Sequence, residues 1–534
     1  MHRRAGLALL GFLLLAAISD VSARAAEEAV LRRGNGGEPE SLDPARAESV
    51  PAGRIINDLF EGLVTLDAAD RPVPAAAASW SVSEDGLTYV FSLRKGLKWS
   101  DGSALTAQDF LYGIRRDLLP ETKATDIFLL FPIKNARDIA EGRQKDLTKL
   151  GVEAVDDHTL RFTLERPTSY WVTLMSHGLF SPIKRASVEK FGDNFTRPGN
   201  LASNGPFMLQ DWVAQSRVVL VKNPHYRDAA NVHVDRVIFY PIENEAEEFN
   251  RYRAGELDVT YLVPSRQLDL IRQNMMGELR SEPTLTLDYL GFDMSRPPFA
   301  KNPKLRQALS MAIDRQSLVD KVVKTGATVV YGAVPSAGII DYINQSADWA
   351  WLPSEEKIAK ARRLYAEAGY GEGHPLEIEL YTAASDNVRK VAQALVDQWR
   401  QVLGVKTTLV AEDFKRFVEH RHQRADMRLF WFGWIADYPD ATTFLNLFAS
   451  GAQENDFLYS NPAYDRLLSE AERTADATRR AALLQRAEEL LISDNPMIPL
   501  FNRVIPYLAK PWVKGYHINP CGYTYDKEVT LLAH

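Results

Sequence analysis

Side chains able to carry chemistry are sparse in this chain and poorly arranged for catalysis. Among 534 residues there is one cysteine, Cys521, which excludes an internal disulfide, a paired-thiol redox centre and a zinc site built from cysteines. Cys521 lies in Asn519-Pro520-Cys521-Gly522, a turn pattern in which a small thiol serves as buried filler rather than as a nucleophile. The one dense histidine group is His420-Arg421-His422. Arg421 would repel a cation there, and residues two apart do not share a helical face, so no metal site is read. There is no G-x-S-x-G elbow, no G-x-x-x-x-G-K, no H-E-x-x-H and no dinucleotide fingerprint. Arg33-Gly34-Asn35-Gly36-Gly37 is glycine-rich but lacks a following helix, which makes it a strand-entry loop rather than a phosphate cradle. Asp156-Asp157 and Glu355-Glu356 stand where turns and helix starts are expected, and solvation or the helix dipole accounts for them. The expectation is a protein that is not an enzyme and holds no cofactor.

One stretch admits a binding role, Gly433-Trp434-Ile435-Ala436-Asp437-Tyr438-Pro439-Asp440. An acid ahead of Ala441-Thr442-Thr443-Phe444 can cap a helix, and Asp440 is the better placed. Asp437 can instead be the anion held for a ligand's ammonium, because a buried charge without a partner costs several kcal/mol. The residues alone leave both readings open.

The elements that position this stretch follow from hydrophobic periodicity. Tyr89, Phe91 and Leu93 alternate on one face of a strand before the Asp101-Gly102 turn, and Leu160, Phe162 and Leu164 repeat the pattern. Between them Thr106-Ala107-Gln108-Asp109 resembles a capping box opening a helix. Residues 61–184 are thus expected to mix antiparallel strands with helices. A third strand is read over 237–240, and Asn302-Pro303 fits an N-cap followed by proline at the first helical position. From about 353 the order is helix (354–368, stopped by Gly369), strand (376–382), helix (387–403, stopped by Gly404) and strand (405–410), the alternation of an α/β domain. Two surface helices are read over 464–475 and 477–492.

The N-terminus has Arg3 and Arg4 before an apolar run over 7–18, then small residues near Ala25 and Ala26. That is the form of a cleaved secretory signal over residues 1–26, since the run is too short to cross a hydrocarbon core of ~30 Å. No cysteine near the cleavage region offers a lipid anchor, so a soluble periplasmic product is expected. The formal net charge of −7 drops to about −9 on losing that segment, which argues against nucleic acid or an anionic membrane as partner.

The motifs then fall into a known order. Glu38-Pro39-Glu40-Ser41-Leu42-Asp43-Pro44, Asp58-Leu59-Phe60-Glu61-Gly62-Leu63, Leu93-Arg94-Lys95-Gly96-Leu97-Lys98-Trp99-Ser100-Asp101-Gly102, Asn204-Gly205-Pro206-Phe207, Asn223-Pro224-His225-Tyr226, Tyr252-Arg253-Ala254-Gly255-Glu256-Leu257-Asp258 and Gly433-Trp434-Ile435-Ala436-Asp437-Tyr438 run the length of the mature chain. In that order the sequence resembles the periplasmic oligopeptide-binding proteins of ABC importers, solute-binding family 5.

The resemblance implies a bilobal α/β periplasmic-binding fold of cluster-C type with an extra inserted α+β domain. It places a discontinuous first lobe at 27–60, 185–288 and 527–534, the inserted domain at 61–184 and a second lobe at 289–526. Short peptides would bind between lobes that close by hinge motion, and permease subunits in the inner membrane would receive them from a monomer. Asp437 would pair with the peptide's α-ammonium, while Gly433, Ile435 and, from the opposite lobe, Val50 would pair with its main chain as an added strand does. Trp434, Phe414 and Tyr525 match pocket walls, and Arg421 is a retained basic position. The pattern departs where the ligand's carboxylate is received: Trp431 stands where the family has a basic residue, and its histidine is replaced near Val388. Arg428 lies close by. Two other readings stand beside the peptide one. A metal chelate, haem or opine can occupy the same fold, and a secreted peptide or cell-wall hydrolase is an alternative from another class.

Overall fold

The computed structural model describes residues 28–533 apart from 68, 69, 336–338, 340, 341, 424, 425, 453 and 475. The export signal expected over 1–26 lies outside the described residues. Strand β1 (Val30–Gly34) leads to helix α1 (Val50–Leu59), whose start is capped by Ser49 accepting from the Ala52 N–H at 3.2 Å. Gly34 ends β1, so the glycine-rich segment begins as strand rather than as the entry to one.

Four strands then form an antiparallel sheet, β2 (Ala77–Val82), β3 (Thr88–Leu93), β4 (Val152–Asp156) and β5 (Thr159–Thr163), in the order β2-β3-β5-β4. Tyr89, Phe91 and Leu93 point inward as their alternation requires, and Phe91 meets Phe162 edge-on at 5.7 Å. Helix α2 (Ala107–Asp117) packs beside them, its first turn closed by Asp109, which accepts from the Thr106 N–H at 2.8 Å.

The chain returns through β6 (Phe207–Val213), β7 (Arg217–Lys222) and β8 (Arg236–Tyr240) to complete a sheet ordered β1-β8-β7-β6, with β1 and β8 parallel. Helix α3 (Glu245–Arg253) follows, and β9 (Leu279–Pro283) carries the chain toward the second half of the molecule.

That half is built on a six-stranded mixed sheet. Its strands are β10 (Thr286–Phe292), β11 (Thr328–Val329), β12 (Glu377–Ala383), β13 (Lys406–Glu412), β14 (Leu429–Ile435) and β15 (Met497–Asn502), ordered β11-β15-β10-β14-β12-β13. Helices α4 (Pro303–Met311), α5 (Ser354–Glu367), α6 (Asp386–Leu403), α7 (Phe414–Gln423), α8 (Pro462–Glu472) and α9 (Ala477–Asp494) cover it. The stop signals act as read: Gly369 and Gly404 take φ of +95° and +72°, which a side chain would oppose. Strands β12 and β13 are parallel, as the helix–strand alternation requires, but β10 pairs antiparallel with both β14 and β15.

Strand β16 (Val504–Leu508) runs back beside β9. Two antiparallel strands therefore join the halves, and Arg503 at their junction donates its N–H to the Thr286 hydroxyl at 2.9 Å.

Candidate ligand-binding site

At this junction lies a cavity of ≈ 390 Å³. It is walled by α1 (Val50, Arg54) and Tyr261 on one side and by β10, α6 and β14 on the other. Strand β14 presents Trp431 and Ile435 to it; Gly433 lies between them on the same face of the pleat. The remaining wall is mostly apolar, with Val322, Val323, Val388, Val391 and Phe501.

Gly433 and Ile435 also face an open edge through their backbone. The Ala436 N–H donates to Leu285 O at 2.9 Å, so even-numbered residues of β14 turn their peptide groups toward β10. Odd-numbered residues turn theirs the other way, where β12 pairs with β14 at Phe430 alone. The backbone of Gly433 and Ile435 thus borders a stretch without a neighbouring strand among the described residues, the geometry that accepts an extended chain.

The absence of a side chain at Gly433 leaves room for an ion pair. A Cβ there would lie 2.4 Å from Nη2 of Arg503 and 3.2 Å from Oδ1 of Asp288. Arg503 grips buried Asp288 through two bonds of 2.6 and 2.8 Å, and Trp431 Nε1 donates to the same carboxylate at 3.1 Å. Gly433→Ala is therefore expected to expel the guanidinium and leave Asp288 with Trp431 alone, costing about 1–3 kcal/mol. Urea unfolding checks this, and Arg503→Ala added to Gly433→Ala should cost little more than either change alone.

Asp437 lies just past the end of β14, half-buried. Its own N–H and its Oδ2 both meet the Thr443 hydroxyl at 3.2 Å, and Trp434 Nε1 donates to that hydroxyl at 3.3 Å. No cation among the described residues pairs with the carboxylate. Burial pushes its pKa up to about 7, with the negative charge of Asp126 adding to the shift. Asp126, itself pushed up to about 6 by burial, comes from a distant turn, and no sequence signal pointed to it. Asp440 behaves differently: it accepts from the Thr442 N–H at 2.9 Å and is clamped by Arg480 at 2.8 and 2.9 Å. The two acids have thus separated, Asp440 holding the helix start and Asp437 left without a counter-ion. Beside them Tyr438 stacks on Tyr170 at 4.4 Å, joining the second half to the segment before β6.

Three other expected positions, Arg421, Trp434 and Tyr525, fall elsewhere, and a fourth, Phe414, is not placed. Arg421 is buried on α7, paired with Asp456 at 2.5 Å and stacked over Phe432 at 3.6 Å, so its charge serves the interior. Trp434 faces away from the cavity, on the even side of β14, and packs with the second-half core. Tyr525 lines a separate narrow recess with Ile56 and Tyr226. Phe414 opens α7, and its side chain lies outside the described residues. Val50 does line the cavity, but from the first turn of α1 rather than from a strand; there its N–H is one of those a helix leaves without an internal partner.

Residues 71–456 match the family described as bacterial extracellular solute-binding proteins, family 5. The chain is 37% identical over 514 residues, 95% of each chain, to the "Probable deoxycholate-binding periplasmic protein YgiS" of Escherichia coli. It is 37% identical over 528 residues to the periplasmic oligopeptide-binding protein OppA of the same organism, covering 98% of this chain and 96% of that one. The structure of the Escherichia coli murein tripeptide binding protein MppA superposes with a TM-score of 0.84 at 34% identity, over 95% of this chain and 99% of that one. With its mixed α/β bilobal architecture and a cavity at the crossing between the halves, the chain belongs to the family 5 bacterial extracellular solute-binding proteins.

Proposed function

We propose that this protein is a soluble periplasmic receptor that captures short peptides between its two halves and delivers them to an ABC importer. The observation that carries the reading is Asp437, a half-buried carboxylate that pairs with no cation among the described residues, beside an open strand edge. A peptide supplies what is missing at both places: an α-ammonium for the carboxylate and main-chain groups for Gly433 and Ile435. Main-chain pairing ignores side-chain identity, which suits a receptor for many sequences. In this reading residues 61–184 form an inserted domain, 27–60, 185–288 and 527–534 the first lobe and 289–526 the second. The monomer docks on permease subunits, and residues 1–26 are removed on export. The protein performs no catalysis. Names carried by relatives support the assignment, since two of them are called oligopeptide- and murein tripeptide-binding.

Calorimetry on protein lacking residues 1–26 and stripped of ligand tests this with di- to pentapeptide mixtures and their N-acetylated forms. Binding at micromolar Kd or better, about −8 kcal/mol, that disappears on acetylation is the expected result; no binding of any free-amine peptide would sink it. A second reading, an amphipathic organic acid, is favoured by the apolar wall of the cavity and by the relative whose name includes deoxycholate.

A further inference from the structure

The charged residues lining the cavity do not balance. They are Arg54, Lys390 and Arg503 against Glu245 and Asp288. Arg503 is consumed by Asp288, and Lys390 and Glu245 sit within each other's field. Arg54 is left over. It is 2% exposed, and its Nε and Nη1 are buried without hydrogen-bond partners. The guanidinium plane rests on the Tyr261 ring at 4.5 Å, which holds it in place without satisfying its N–H groups. Glu248 feels its charge, but the two Glu248 oxygens are engaged by the N–H groups of Tyr261 and Leu262 at 2.7 and 3.3 Å.

Buried guanidinium donors are costly to leave unpaired, and a planar fork of N–H groups suits a carboxylate. Arg54 follows Val50 by four residues on α1, so both project from one face of the helix into the cavity. Opposite them stand Val322, Val323, Val388, Val391 and Trp431, which include the two positions where the sequence departs from the oligopeptide binders.

From this geometry we infer that Arg54 receives the ligand's carboxylate, and that the preferred ligand joins this anion to a bulky apolar body packed on the valine and tryptophan wall. The inference rests on the cavity being the ligand site. Two sources share the chemistry: a short peptide with large aliphatic or aromatic side chains, and a non-peptide amphipathic acid.

The test uses the signal-free protein and three probes: Phe-Leu-Phe as free acid, the same peptide as C-terminal amide, and dodecanoate. In the wild type, amidation should weaken binding about 30-fold or more, the loss for truncating one side of a buried charge pair. Arg54→Gln should cost as much for the free acid, and amidation should then cost almost nothing further in that variant. Arg54→Lys should recover part of the affinity. A merely structural arginine would not couple to the ligand's terminus, and the wild-type amidation arm needs no variant to fold. Equal binding of acid and amide by the wild type overturns the role of Arg54 while leaving a peptide receptor intact. Arg54-dependent binding of dodecanoate without any peptide binding supports the inference and removes the peptide reading. Silence with all three probes overturns both.

Discussion

Lowering the pH from 8 to 5 should weaken the binding of a free-amine peptide by roughly 90-fold, and Asp437→Asn should remove most of that dependence together with most of the affinity. The sign follows from the protonation state of the empty site. Burial raises the Asp437 carboxyl to about 7, so about nine-tenths is ionised at pH 8 and about one-hundredth at pH 5. An ammonium pairs only with the ionised form, and acidification therefore makes the ligand compete with a proton. Near pH 7 binding should release about half a proton, which calorimetry reads as a dependence on buffer ionisation enthalpy. The ligand-free protein has the opposite response. A carboxyl whose folded pKa lies above its ordinary 3.8 favours the protonated native state, so its contribution to stability falls as pH rises from about 4 to 7.

Asp437→Asn keeps the backbone bond to Thr443 and the side-chain shape but removes the charge, at an expected cost of about 30- to 4,000-fold in affinity, the range for losing one member of a buried charge pair. Asp126, pushed up to about 6, leaves a smaller residual slope in that variant. An N-acetylated peptide should bind weakly at every pH. If it shows the same profile as the free amine, Asp437 does not face the ammonium.

How much of this was legible in the sequence depends on how local the determining physics is. The Asn302 cap, with its side chain accepting from the Leu305 N–H, and the glycine stops at 369 and 404 concern the chain within a few residues of itself. The strands at 88–93 and 159–163 need only period two. The position of Asp437 beside Gly433 and Ile435 is likewise one contiguous stretch. Arg421 failed as a cavity residue because its partner Asp456 lies across an undetectable tertiary contact, and a buried ion pair looks in sequence like any isolated arginine. Trp434 failed through strand parity: once Ala436 points its N–H at β10, Trp431, Gly433 and Ile435 share one face and Trp434 takes the other. The apolar chamber was legible only through the resemblance, at Val50, Val388, Trp431 and Ile435; Val322 and Phe501 join them only after the six-stranded sheet has formed. The same holds for Arg54, whose significance is that neither lining carboxylate, Glu245 nor Asp288, hydrogen-bonds it, in a lining drawn from nine segments.

The largest expected loss of stability lies away from the cavity, in a cluster that touches the helix lining it. Arg33 on β1 is fully buried, with Nη1 on Asp526 at 2.7 Å and Nη2 on the Tyr516 hydroxyl at 2.8 Å, between the rings of Phe239 and Tyr516. Asp526 in turn donates its N–H to Asp58 near the end of α1 at 3.1 Å. Two acids thus share one guanidinium. Burial and the charge of Asp526 push the Asp58 carboxyl well above its ordinary range, which favours its protonated form. Oδ2 of each acid is buried without a hydrogen-bond partner, which a proton on Asp58 would relieve. Arg33→Met removes the only cation and leaves a buried carboxylate, an expected cost of about 3–5 kcal/mol in urea unfolding at pH 7. Adding Asp526→Asn should return much of it, because the uncompensated charge goes with the arginine. Asp58→Asn imitates the protonated acid and should cost far less than Arg33→Met; a loss as large would mean that Asp58 is ionised. Because α1 carries Val50 and Arg54 as well as Asp58, Arg33→Met should also loosen the first-half wall of the cavity. Weakened ligand binding in Arg33→Met, with Asp58→Asn near wild type in both assays, would show that the buried cluster sets the position of the helix that faces the ligand.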